Sequence, residues 1–262
     1  MLVLIGPDFE GTGDAYARLA RVTGLVPYDL KARIRPGAWG VIKVLGDEFQ
    51  ANLLATELTS AGFRPILVPR EVAHDAERKI VHAKGLTLEP AGFTLHFTER
   101  DMPIEYGAVS CVVRGEVQPG RAAPRAAGSA SSGSLRAVTP TGEAASAREL
   151  QQSPFESYHA ADIHFLTVPW IARIDVRAVG TATGDPSVRA LDALVDDLAR
   201  RGGVRVDRAA RTSSLASFAE QAASMRSVPP EAQRREHRRE QPDERFDPYS
   251  RLVGAAESRL RA

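Results

Sequence analysis

Leu2-Val3-Leu4-Ile5-Gly6 with Asp8-Phe9 behind it, and Val41-Ile42-Lys43-Val44-Leu45-Gly46 with Glu48-Phe49 behind it, are the stretches that decide how this chain reads. Each is a short β-branched and aliphatic run that stops at glycine, the pattern of a strand leading into a turn. The segment behind each run repeats as well. Tyr16, Leu19, Ala20 and Thr23 recur at helical spacing in the first copy, and Leu54, Leu58 and Ala61 in the second, so each helix offers one apolar stripe. Both copies leave through glycine and proline: Gly24-Leu25-Val26-Pro27-Tyr28, and Gly62-Phe63-Arg64-Pro65-Ile66. The glycine suits a left-handed helix C-cap and the proline, three residues on, stops the helix from continuing. Tyr28 to Ile34 and Ile66 to Val68 are the expected closing strands, with Pro36-Gly37 turning the chain between the copies.

Strand, helix, strand, taken twice over residues 1–72, gives the order βαββαβ. That order resembles the ferredoxin-like sandwich, an α+β fold in which two helices cover one face of a four-stranded antiparallel sheet. The second copy, Val41 to Pro69, also resembles the sporulation-related (SPOR) repeat, and membership of that family would imply binding to peptidoglycan glycan strands in the periplasm.

After Val72, His74 to Ile80 reads as a charged connector. Strand signals return at Leu86 to Leu88, Phe93 to Phe97 and Ile104 to Arg114, with turns at Pro90-Ala91-Gly92 and Arg100 to Pro103. Residues 118–150 then collapse to Ala, Gly, Ser, Pro, Thr and Arg; such a stretch buries too little surface to offset its ordering entropy, so a disordered insertion is expected. Ile163 to Val168 and Ile171 to Val179 read as a strand pair bent at Pro169-Trp170. A helix comes next, with Asp185 as its cap, Pro186 in its first turn, Val188, Leu191, Leu194, Val195 and Leu198 as its stripe, and Gly202-Gly203 as its end.

Several strands closed by one helix, over roughly residues 80–206, resemble the pleckstrin-homology-like (PH-like) barrel. The phrases Gly92-Phe93-Thr94-Leu95, Met102-Pro103-Ile104-Glu105-Tyr106 and Val109 to Gly115 carry that likeness, and the long insertion departs from it. Membership would imply an antiparallel barrel or sheet serving as a platform for protein segments or lipid headgroups. Residues 207–262 read as a flexible or helical charged tail, mixed in sign at Arg234 to Glu240. Within it Phe246, Tyr249, Leu252 and Val253 form an apolar stripe that docks back on the body or binds a partner.

Composition bounds the function. Of 262 residues, 34 are Lys or Arg and 33 Asp or Glu, so no global positive field favours nucleic acid or anionic membrane. The sheet positions Leu4, Ile5, Val41, Ile42 and Val44 are aliphatic where an RNA-binding sheet would carry aromatics; Tyr28 and Trp39 read as packing, and Arg121, Arg125 and Arg136 as spacer residues. No run approaches the ~20 apolar residues of a membrane span. Met1 to Ile5 is too short for a signal-peptide core, and a single cysteine, Cys111, suits a reducing compartment, so a cytoplasmic location is expected.

No catalytic residue, metal site or cofactor is expected. Gly6 to Gly13 has glycines spaced as in a phosphate-binding loop, but the lysine and hydroxyl are missing and Asp8, Glu10 and Asp14 would repel an anion. His159, Asp162 and His164 are of metal-ligand type, yet on a strand Asp162 and His164 share one face and His159 takes the other. Cys111 inside an apolar strand reads as a small hydrophobe. These readings lead to a non-enzymatic scaffold or adaptor with a protein partner; the alternatives are a small-ligand or phosphate-ligand sensor or enzyme with a site between modules, and SPOR-like glycan binding.

Overall fold

The computed structural model describes residues 1–75, 77–118, 157–224 and 246–261. The expected insertion therefore lies outside the described residues from position 119 on, as do the three spacer arginines and Arg234 to Glu240.

The chain opens with β1 (Leu2–Ile5), α1 (Gly13–Thr23), α2 (Pro27–Arg33), β2 (Gly40–Val44), α3 (Glu48–Ser60) and β3 (Pro65–Val68). Thr12 caps α1 by accepting from the Ala15 amide, and Gly24, at φ +68°, closes it in the left-handed region. The expected strand over Tyr28 to Ile34 is instead α2. Pro27 occupies the first turn of that helix, where its missing N–H costs nothing and its fixed φ favours helix. The sheet consequently has three strands, in the order β2-β1-β3, each outer strand antiparallel to β1. The four-stranded sandwich does not form. Nor do β2 and β3 pair with each other, so Val41 to Pro69 is not a self-contained unit.

A 3₁₀ turn at Arg70–His74 leads to β4 (Ile80–His82), β5 (Gly85–Leu88), β6 (Gly92–His96), β7 (Asp101–Glu105), β8 (Val109–Val117), β9 (Tyr158–Phe165) and β10 (Ile171–Asp175). After these come α4 (Val176–Thr183), α5 (Val188–Gly202), β11 (Arg205–Asp207), α6 (Ser214–Ser224) and α7 (Phe246–Arg261). The strand expected to reach Val179 stops at Asp175, whose carboxylate accepts from the amides of Arg177 and Ala178 and starts α4. Ser187, not Asp185, caps α5, and Gly203 at φ +59° ends it.

The fold is mixed α+β with several sheets and no closed barrel among the described residues. Five strands form an open sheet in the order β11-β8-β9-β10-β4, antiparallel inside and parallel at both outer pairs, while β5-β6-β7 make a separate meander. Those parallel outer pairs set the sheet apart from the expected antiparallel barrel. Among the described residues no helix is long and apolar enough to cross a membrane.

Alternation along the strands sorts the core into layers. Val3, Ile5 and Ile42 face α1, α2 and α3. Leu2, Leu4, Val41 and Val68, on the other face of that first sheet, meet Tyr249, Leu252 and Val253 of α7. The same cluster contains Cys111, Val113 and Ala160 from the five-stranded sheet, so α7 lies between the two sheets. Beyond the second sheet, Val112, Ala161 and Ile163 pack on α5 through Leu191, Val195 and Leu198, and on the meander through Leu86, Phe93 and Leu95. The tail helix is thus the middle layer of the molecule.

Candidate functional site

Phe246, Tyr249, Leu252 and Val253 are all buried in the chain's own core. Of the two roles expected for this stripe, docking on the body is the one seen here, and it covers the face of the first sheet that lies opposite the helices α1 and α3. At about 1.5–3 kcal/mol for each large apolar side chain removed from water, these four residues are a main source of cohesion between the sheets.

Polar groups fix how the helix sits. Arg173 of β10 donates to Asp162 of β9 through Nε and Nη2, at 2.7 and 2.8 Å, and Nη2 reaches Asp247 of α7 at 2.8 Å. The guanidinium also lies 5.0 Å from the ring centroid of Phe246. All three charged side chains are buried. Burial disfavours the Asp162 carboxylate, but the field and hydrogen bonds of Arg173 outweigh it and hold the pKa below the usual carboxylate range. Burial likewise opposes the charge on Arg173, and Asp162 more than compensates, so its pKa is raised well above the ordinary value.

Ser250 joins this cluster to His164. Its Oγ donates to Asp162 Oδ2 at 2.6 Å, so Nε2 of His164, 2.9 Å away, is the donor to Ser250. Burial lowers the His164 pKa to about 4, which keeps the imidazole neutral near pH 7. Serine, histidine and aspartate are the residue types of a hydrolytic relay, but the order is wrong for one. The hydroxyl proton points at the carboxylate, the imidazole cannot accept it, and all three groups are sealed from solvent. The cluster is a clasp between helix and sheet.

Two further side chains of the same helix make polar contacts. Tyr249 Oη donates to Asp207 of β11 at 2.6 Å, and burial raises both pKa values. Glu257 accepts from Trp39 Nε1 at 3.1 Å and from Arg205 Nη1 at 3.5 Å, while Arg205 also reaches Asp8 at 2.5 Å. Burial pushes the Glu257 carboxyl up. One carboxyl group therefore ties α7 at once to the first unit, through Trp39, and to β11.

The strand argument for His159, Asp162 and His164 holds: the latter two face α7, whereas His159 Nδ1 lies 3.3 Å from Arg114, a residue paired with Asp192 of α5. No group of three or more His, Cys, Asp or Glu that would hold a metal ion occurs among the described residues. Cys111 is fully buried, and burial pushes its thiol pKa up, away from the thiolate. In the Gly6 to Gly13 turn Asp8 pairs with Arg205, and just beyond it Asp14 of α1 pairs with Arg18. Arg173, Asp207, Asp247, Ser250 and Glu257 were not singled out by sequence; the available signal was a charge inside an otherwise apolar pattern, as at Ile171-Ala172-Arg173-Ile174.

A different surface is open. Among the described residues nine large apolar side chains are exposed, and five of them, Val26, Tyr28, Val44, Phe49 and Leu53, fall between positions 26 and 53. Topology brings them to one end of the first unit. β1 starts there, with the Met1 ammonium bonded to the Leu45 carbonyl and Leu2 opposite Val44. Helix α1 returns to that end, α2 departs from it through Val26 and Tyr28, and α3 begins there at Glu48 with Phe49 in its first turn. Tyr28 is 82% exposed and Phe49 74%, values that place whole rings in solvent. No family model matches this chain, and comparison with curated proteins and with solved structures likewise gives no match.

Proposed function

We propose that this chain is a non-enzymatic interaction or regulatory protein of the cytoplasm, and that it binds a protein partner through the end of the first unit that carries Tyr28, Phe49 and Leu53. The observation behind this reading is the gathering of exposed apolar side chains at one end of a body whose other large aromatic rings are mostly packed inside. Scattered exposed hydrophobes need no explanation, but a group of them rimmed by polar residues is the mark of a protein-binding surface. Here Asp29, Lys31, Asp47 and Glu48 are the charged sequence neighbours of Tyr28 and Phe49. Tyrosine and phenylalanine suit such anchors, because each brings large apolar area with few rotatable bonds.

The first unit is read as a ferredoxin-like sandwich whose second strand has become α2. Support comes from strand order: β2-β1-β3, all antiparallel to their neighbours, is what remains of a βαββαβ sheet when that strand is removed. The replacement matters for function because it puts Val26 and Tyr28 at a helix start instead of along a sheet edge.

The test is site-specific photocrosslinking from position 49 in cells, with position 99 as an exposed control. The reading expects one protein crosslinked from 49 alone, and the same protein, once purified, binding wild type at least about ten-fold more tightly than Tyr28→Ser/Phe49→Ser. Equal crosslinking from both positions, equal affinity for the double variant, or saturable turnover of a metabolite with no crosslink overturns it.

A further inference from the structure

The Gly6 to Glu10 turn, the Gly62 to Arg64 turn and Leu260 of α7 enclose a cleft of about 190 Å³. It opens at the carboxyl end of β1, the central strand of its sheet. Its floor is apolar: Phe9 and Phe63 lie with ring centroids 6.2 Å apart, with Ile5 beside them. The charges on its walls divide into two classes. Asp8 is neutralised by Arg205, and Arg18 is engaged by Asp14, by the Ala61 carbonyl at 3.2 Å and by the Phe63 ring at 5.2 Å. Glu10 and Arg64, both exposed, have no hydrogen-bond or ion-pair partner among the described residues.

The geometry points to a binding site for a small zwitterion, an apolar α-amino acid, with its carboxylate on Arg64, its ammonium on Glu10 and its side chain over Phe9 and Phe63. The class is reached by elimination on charge. A phosphate or other simple anion meets the free carboxylate of Glu10; a metal ion or amine meets the free guanidinium of Arg64. Only a ligand with both signs satisfies the two walls, and arginine's paired donors match a carboxylate. Size sets the rest, since the cleft falls below the about 300–1,000 Å³ typical of drug-sized ligands. A peptide terminus offers one of the two charges, whereas a free amino acid offers both. This site is separate from the partner surface: it lies at the opposite end of β1 from Met1 and Phe49.

Titration of the full chain with L-leucine, followed by amide NMR and by calorimetry, tests the site. Saturable binding is expected, with shifts at Gly6, Gly62 and Phe63. N-acetyl-L-leucine lacks the ammonium and L-leucinamide lacks the carboxylate, and each should bind at least about ten-fold more weakly; Arg64→Ala and Glu10→Gln should have the same effect on L-leucine. Both variants change exposed side chains and should keep the wild-type melting temperature, so lost binding would report the site and not the fold. Absence of saturable binding, equal affinity for the capped compounds, displacement of L-leucine by inorganic phosphate, or unaltered affinity in both variants overturns the assignment.

Discussion

The two sheets grip the same helix by different physics. From the first sheet α7 receives aliphatic side chains, Leu2, Leu4, Val41 and Val68, with the Trp39 indole as polar contact nearby. From the second it receives, besides apolar contacts, Arg173 and its two carboxylates, the His164–Ser250 link and the Asp207–Tyr249 bond. Aliphatic contact is non-directional and tolerates small rotations of the helix. Buried ions do not, because a carboxylate moved off its guanidinium stays buried and unpaired. The contrast teaches that the first sheet supplies cohesion while the second sets the register and rotation of α7.

That difference can be broken from either side. Arg173→Ala leaves Asp162 buried without its cation, and should cost about 3–5 kcal/mol in urea unfolding. Leu4→Ala removes contacts on the aliphatic side and should cost about 2–5 kcal/mol, depending on how far α7 collapses into the space. Full-length protein carrying Arg173→Ala should, in addition, lose hydrogen-exchange protection across α7 first; uniform loss in both variants would erase the distinction between the sheets. Gly254→Ala sharpens it further. An exposed helical glycine gains about 1 kcal/mol on becoming alanine. At Gly254 a Cβ would run into the His164 ring, so a loss of about 1–3 kcal/mol is expected instead. A stabilised Gly254→Ala protein would show that the second sheet does not fix the helix closely.

The acids on the second side separate by pH. Asp162 has a lowered folded pKa, so its stabilising contribution is present above the unfolded value and is lost as pH falls through the folded one. His164 acts in the same direction: its folded pKa of about 4 lies below the ordinary value, and stability is lost as acid forces a charge onto it. Asp207 is opposite. Its folded pKa is raised by burial, so the contribution is complete below the unfolded value and is lost as pH rises through the folded one. Unfolding free energies of wild type and Asp207→Asn, measured from about pH 4 to about pH 8, should therefore move in favour of the variant as pH rises. A pH-independent difference would mean that Asp207 titrates alike in both states.

Much of this arrangement was legible locally. The doubled strand and helix pattern located β1, β2, β3, α1 and α3, the stripe at Leu191, Val195 and Leu198 located α5, and period-two alternation put Asp162 and His164 on one face. Pro27 misled because the same residue that forbids a helix from continuing also favours the first turn of the next. The depth at which the tail helix is buried has a non-local cause. Its stripe was visible, but Ser250, Gly254, Ala255 and Ala256 on α7 are small, and that smallness lets a second sheet approach closely. A helix with an apolar stripe and small residues around it is a candidate for burial between layers, not for one-sided docking. The pairing of Arg173 with Asp247, 74 positions apart, had no local trace beyond a charge in an apolar strand.

The smallest stability effect should come where the sequence showed rings that the fold leaves outside. Tyr28 and Phe49 sit in solvent, so Tyr28→Ser/Phe49→Ser removes little buried area and should change unfolding free energy by no more than about 0.5 kcal/mol per site. The same double variant should lower the protein's tendency to self-associate or adsorb at high concentration, read by light scattering, because exposed apolar rings are removed. If it instead unfolds at markedly lower denaturant, those rings belong to the first unit's own packing. The distinction between a sealed middle layer and an open binding end would then fail, since cohesion would extend to the surface that was assigned to a partner.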